Sequence, residues 1–125
     1  MRAIIFEYEQ DLEELLGYLV SKEGFTFEAV ESPGDLDTLA LARSPELLLL
    51  GTCPPHQVQL DVAQQLRHLH PDSFLLVLST NRSVCSDIRQ LNDPLFECLE
   101  APFPPKILRS TLQGIREFLG TIQDS

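Results

Sequence analysis

Short apolar runs recur along this chain at intervals that leave room for at least one helix between each pair. Arg2–Phe6 (RAIIF), Leu47–Leu50 and Phe74–Leu78 (FLLVL) carry almost no polar alternation. Strands of that kind are buried on both faces, as in a parallel sheet covered by helices. The first intervening stretch places Leu12, Leu15, Leu16, Leu19 and Val20 at helical spacing, with Glu13 and Glu14 on the wet side and Lys22 and Gly24 at the end. Phe25–Val30 alternates as a strand. Ser32-Pro33-Gly34-Asp35 then supplies an N-cap, a proline at the first helical position and an acid at the capping-box position, which predicts a short helix to about Arg43.

A further helix is expected over residues 57–69, with Leu60, Ala63, Leu66 and Leu69 inward. Ser83 is placed to cap one that carries Val84, Ile88 and Leu91. A weaker strand spans Leu95–Leu99, and Pro102-Phe103-Pro104-Pro105 opens a last helix with Leu108, Leu112, Ile115, Phe118 and Leu119 inward. Strand then helix, five times over, means right-handed parallel crossovers and a three-layer α/β sandwich. The functional crevice of such a sheet lies beyond the carboxyl ends of its strands. The residues there are Glu7–Glu9, Gly51–His56, Ser79–Asn81 and Glu100–Pro102.

Composition narrows the functions. A chain of 125 residues is one domain, with the last few residues read as a tail or the start of a linker. Nineteen acids against nine Lys and Arg give a net charge of −10, which repels phosphate backbones and anionic lipid. Eleven of the acids and only three of the bases fall in residues 1–46. The longest apolar run is too short to span a bilayer, and Glu7 interrupts the start before a signal-peptide core forms. Three cysteines, Cys53, Cys85 and Cys98, are odd in number and lack a Cys-x-x-Cys spacing. That count argues against a disulfide framework and for a reducing, cytoplasmic compartment.

The usual sites of chemistry are not legible. Thr52 and Ser79 are hydroxyls without an identifiable base, and no glycine-rich phosphate loop is present. His68 and His70, two apart, fall on nearly opposite faces and make no ligand pair. Cysteines of this kind ordinarily act as small hydrophobes, and Glu7 and Glu9 read as part of a solvated loop.

Four anchors nevertheless agree in one register. Pro45-Glu46 precedes the Leu47–Leu50 strand, Pro55 lies four residues after Gly51, Leu78-Ser79-Thr80 ends the next strand, and Pro102-Phe103 follows the last. In these segments the chain resembles a response-regulator receiver domain, the flavodoxin-like module that accepts a phosphoryl group from a histidine kinase. The resemblance runs from Lys22 to Gly51 and from Gln57 to Phe103 without a gap. It implies a five-stranded parallel sheet of order 2-1-3-4-5 and a cis peptide bond before Pro102.

The same register implies a degenerate phosphorylation pocket. The acidic pair that would hold a divalent cation reads Glu7 and Tyr8, and tyrosine is a poor ligand for a hard cation. The nucleophilic aspartate is Gly51, which has no side chain to become an acyl phosphate. The lysine is Ala101, and the aromatic switch position is Cys98; Ser79 alone matches. The expectation is a non-catalytic pseudo-receiver with no metal and no cofactor, which acts through protein contacts. It suits the N-terminal domain of a transcriptional regulator. Its partner would be another protein or a second copy, through a near-neutral face carrying Arg82, Arg89, Gln90, Lys106, Arg109, Gln113 and Arg116. The alternative is a small-ligand or thiol-redox sensor that uses the vacated pocket, with Cys53 and Cys98 reactive.

Overall fold

The computed structural model describes residues 1–7, 9–30, 44–51 and 56–123. Within them the chain runs β1 (Arg2–Phe6), α1 (Gln10–Lys22), β2 (Thr26–Val30), β3 (Leu47–Leu50), α2 (His56–Leu69), β4 (Phe74–Ser79), α3 (Arg82–Gln90), β5 (Phe96–Glu100) and α4 (Pro105–Gln123). The expected helix up to Arg43 lies outside the described residues. The five strands are parallel in the order β2-β1-β3-β4-β5, as the receiver-like reading requires.

The doubly apolar runs explain that order. Leu47–Leu50 are all 0% exposed, and they form the central strand between β1 and β4. Leu47 and Leu49 join Ala3, Ile5, Leu76 and Leu78 under α1 and α4, which bury Leu16, Leu19, Leu108, Leu112 and Ile115 on that side. Leu48 and Leu50 turn the other way, with Ile4, Phe6, Leu75 and Val77, against Val62, Ala63 and Leu66 of α2 and Val84, Cys85 and Ile88 of α3. Burial of one such leucine contributes roughly 1.5–3 kcal/mol, so two opposite faces of one strand hold the three layers together. β2 and β5 are the two edge strands, and Thr26–Ala29 of β2 are exposed on both of its faces.

Helix ends follow local chemistry. Gly24 takes φ 89°, where a side chain would be strained, and ends α1 as expected. At α3 the cap is Asn81 rather than Ser83. The Asn81 carboxamide oxygen accepts from the amides of Ser83 (2.8 Å) and Val84 (3.4 Å). Helical periodicity overreaches in four places. Leu15, Leu69, Leu91 and Phe118 are exposed rather than inward, within α1, at the last residue of α2, just past α3 and on the flank of α4. Phe118 still meets Phe74 edge-on, with ring centroids 6.0 Å apart. The weaker strand is β5, one residue later than its sequence pattern suggests.

The cysteine count misled more seriously. Cys85 on α3 and Cys98 on β5 form a disulfide, with Cα atoms 5.1 Å apart. The argument for a reducing compartment from an odd number of cysteines thereby loses its basis. Cys53 lies outside the described residues.

One polar clasp ties the base of α2 to the turn before β5. Arg67 donates to both oxygens of Asp93 (2.6 and 3.1 Å) and to the carbonyl of Pro71. The Arg67 hydrogen bond, reinforced by the Leu95 amide, holds the Asp93 carboxyl below the usual carboxylate range, against the opposing effect of partial burial. A depressed folded-state pKa stabilises the fold fully above the unfolded value near 4, and that contribution is lost as the pH falls through the folded value. Urea midpoints of the wild type and Asp93→Asn are therefore expected to differ most near neutral pH and to converge below about pH 4. A gap that stays constant across this range would contradict the clasp.

Candidate functional site

The carboxyl ends of β1, β3, β4 and β5 bring four of the five residues singled out for the pocket to one edge of the sheet. Glu7 follows β1, Gly51 follows β3, Ser79 ends β4 and Ala101 follows β5. Tyr8, the fifth, is outside the described residues, as are Thr52 and Pro55. Main-chain bonds stitch this edge together: the Gly51 amide donates to the Phe6 carbonyl (2.7 Å), and the Ala101 amide to the Ser79 carbonyl (2.7 Å). The Ala101–Pro102 peptide bond is cis, as expected.

Glu7 departs from expectation. It is 0% exposed rather than solvated, and its Oε1 accepts from the Glu9 amide at 3.1 Å. Glu9 is exposed. The reason for the burial lies at position 51. A Cβ built on Gly51 would stand 1.7 Å from Glu7 Oε2 and 2.5 Å from its Cδ. The Glu7 carboxyl group therefore occupies the space that a side chain at 51 would need. A side chain at 51 would therefore have to displace the buried Glu7 carboxyl group.

Ser79 is buried and turned inward on its own loop. Its Oγ accepts from the Asn81 amide at 3.0 Å and lies 3.4 Å from the Asn81 carbonyl. The hydroxyl thus steadies the residue that caps α3. Ala101 is half-buried, and its place holds no cation. Nearby, Arg82 at the start of α3 meets Glu100 at the end of β5 at 3.3 Å, an exposed pair that contributes little to stability.

A further residue completes the edge. Gln59, on α2, is 1% exposed, and its Nε2 donates to the carbonyls of Gly51 (2.5 Å) and Leu78 (2.6 Å). It clamps the ends of β3 and β4 from above. Sequence reasoning passed over it as one more polar helix residue. The signal was its spacing from Val62, Ala63 and Leu66, three, four and seven residues on, which puts it on the buried face of α2.

The expected interface residues lie on α3 and α4. Arg82, Arg89 and Gln90 line a depression of about 630 Å³ with Ser86 and Asn92 on the outer side of α3. Arg109 instead shares a small cleft with Tyr18, Leu19 and Lys22 of α1, and Arg116 stands beside Gly24. Lys106 and Gln113 are exposed on α4.

Cys98, at the expected switch position, is buried on the α2–α3 side of the sheet and bonded to Cys85. Its carbonyl accepts from Arg89 at 3.3 Å.

With this geometry in hand, solved structures offer a direct comparison. The receiver domain protein (CheY-like) of Methanospirillum hungatei superposes with a TM-score of 0.76 at 14% identity, over 96% of both chains. The response regulator TrrA of Thermotoga maritima, solved with Mg²⁺ and BeF, reaches 0.71 at 19% identity over 91% of this chain and 97% of that one. The fold is that of receiver domains. The adenylate cyclase from Rhodopirellula baltica also superposes, at 0.76 and 15% identity over 98% and 92%. No family model matches the sequence, and neither does any curated protein.

The receiver fold brings with it the question of a divalent cation. The described residues do not fit one: position 51 offers no oxygen ligand from a side chain, and the Glu7 carboxyl is folded over it. Among the described residues no three His, Cys, Asp or Glu side chains are gathered to hold a metal ion. No helix among them is long and apolar enough to cross a membrane.

The Gln59 clamp is open to direct measurement. Gln59→Leu strips a donor from two carbonyls at a buried edge, at a combined cost of about 2–4 kcal/mol. It should lower the urea midpoint by the corresponding amount with an unchanged slope. A loss below about 0.5 kcal/mol would mean that Gln59 does not hold this edge.

Proposed function

We propose that this chain is a receiver-like signalling domain that works through protein–protein contacts and without aspartyl phosphorylation. One observation carries the proposal. In the receiver-like register the phosphoacceptor position falls on Gly51, and the carboxyl group of Glu7 fills the space that a side chain there would need. A glutamate so placed is no substitute nucleophile, because its side chain is fully buried. Ala101 adds no cation for a transferred phosphoryl group, and Ser79 is engaged by its own loop. The domain is accordingly read as non-enzymatic.

What remains is a scaffold with surfaces. The outer side of α3, with Arg82, Arg89 and Gln90 around one depression, is the contact region we favour for a protein partner or a second copy. A net charge of −10 argues against direct contact with nucleic acid or anionic membranes. A role as the N-terminal part of a transcriptional regulator fits a domain whose output is contact alone. The setting proposed is the cytoplasm, where disulfides are characteristically redox-responsive rather than permanent. A small-ligand sensor using the pocket is the weaker reading, since the Glu7 carboxyl takes up the room that such a ligand would need.

Incubation with acetyl phosphate and Mg²⁺, followed by intact mass under mild acid, tests the proposal. The wild type should gain no phosphoryl group. Gly51→Asp should gain none either, because the new side chain must share its space with Glu7 and Ala101 still supplies no lysine. A stoichiometric aspartyl phosphate on the wild-type chain would overturn the reading.

A further inference from the structure

We propose that Cys85 and Cys98 are a reversible dithiol–disulfide pair that sets how firmly α3 is held against β5. The bond joins two elements rather than two points of a loop: one sulfur comes from the inward face of α3, the other from the inward face of the edge strand β5. Their Cα atoms, 5.1 Å apart, are already at bonding distance in the fold. Both residues are 0–1% exposed within one apolar cluster that includes Val77, Val84, Ile88 and Phe96. Free thiols suit the same surroundings, since a buried cysteine packs as a small hydrophobe. The fold can therefore hold either redox state.

What differs between the states is the attachment of α3. The helix has nine residues, too few to be stable alone. Only Val84, Cys85 and Ile88 are buried, so the cysteine is one of three inward anchors. Beyond these three, its attachments are polar: the Asn81 cap, Arg89 on the Cys98 carbonyl at 3.3 Å, and the exposed Arg82–Glu100 pair. A short helix on few anchors beside an edge strand is the kind of unit that opens locally while the core stays folded. Such opening gives small reagents access to the buried sulfurs. Once the bond is reduced, the opening becomes more frequent, and Arg82, Ser86, Arg89 and Gln90 move with the helix that carries them.

The chemistry balances with a low-molecular-weight disulfide as oxidant. One cysteine thiolate attacks that disulfide and releases one small thiol, leaving a mixed disulfide; the second cysteine thiolate then displaces the other. Two protein thiols and one small disulfide become one protein disulfide and two small thiols, and an excess of the small thiol reverses both steps. The inference goes beyond the phosphorylation-independent reading and stands whether or not an acyl phosphate ever forms.

Equilibrating the full chain in glutathione buffers, from fully oxidised to fully reduced, tests it. Denaturing alkylation with iodoacetamide then counts free thiols by intact mass, and amide exchange is followed over residues 82–100. The expected result is one alkylated cysteine in oxidised buffer and three in reduced buffer, reversibly, with the chain folded throughout. Exchange in α3 should speed up by about tenfold or more on reduction, while β1 and β3 stay protected. The double variant Cys85→Ala/Cys98→Ala should fold and show the faster α3 exchange in both buffers. Three outcomes would each overturn the proposal: failure of the bond to form in oxidised buffer, reduction only upon global unfolding, or equal α3 exchange in the two states.

Discussion

At the carboxyl edge of the sheet, a side chain from one strand stands where the next strand has none. Glu7 leaves β1 and folds over Gly51 at the end of β3, so closely that even a methyl group at position 51 would collide with its carboxyl oxygen. The arrangement is possible because the two strands are hydrogen-bonded neighbours, with the Gly51 amide on the Phe6 carbonyl at 2.7 Å. The Glu9 amide fixes one Glu7 oxygen, and Gln59 holds the Gly51 carbonyl from the opposite side. The space beside Gly51 is thus taken by the protein's own carboxyl group.

That closure depends on a sheet which cannot slip. Each central strand turns alternate side chains into two separate apolar clusters, so a shift of one residue would exchange every partner. The register places Phe6 beside Leu50, and Ser79 beside Glu100, which aligns the strand ends that carry Glu7, Gly51 and Ala101. The polar groups lie along the rim of this frame and use it as a rigid support.

Much of this was legible in the amino-acid sequence. The runs at Arg2–Phe6, Leu47–Leu50 and Phe74–Leu78 could be little other than doubly buried strands, and alternation with helices left few topologies open. The place of Gly51 at the carboxyl end of β3 was readable from the apolar run that precedes it. Helix ends were less legible, because Leu69 and Leu91 satisfy a periodicity that the caps cut short. The burial of Glu7 was hidden, since nothing local shows that the residue opposite an acid lacks a side chain. The disulfide was hidden as well: Cys85 and Cys98 lie 13 residues apart on a helix and a strand, and only the packing of α3 on β5 brings them face to face. Charge was partly misleading for the same reason. Among the described acids of residues 1–46 only Glu7 is buried, and it sits at the centre of the site.

A double-mutant cycle on Gly51 and Glu7 tests the central claim most directly, with unfolding free energies from urea titration. With Glu7 in place, Gly51→Ala must displace a buried carboxyl group and should be clearly destabilising. In a Glu7→Ala background the same methyl group enters vacated space, and the cost should vanish or reverse. The account predicts a coupling of about 1–3 kcal/mol between the two sites. Additivity within about 0.5 kcal/mol would show that Glu7 does not occupy the place of the missing side chain, and would contradict it.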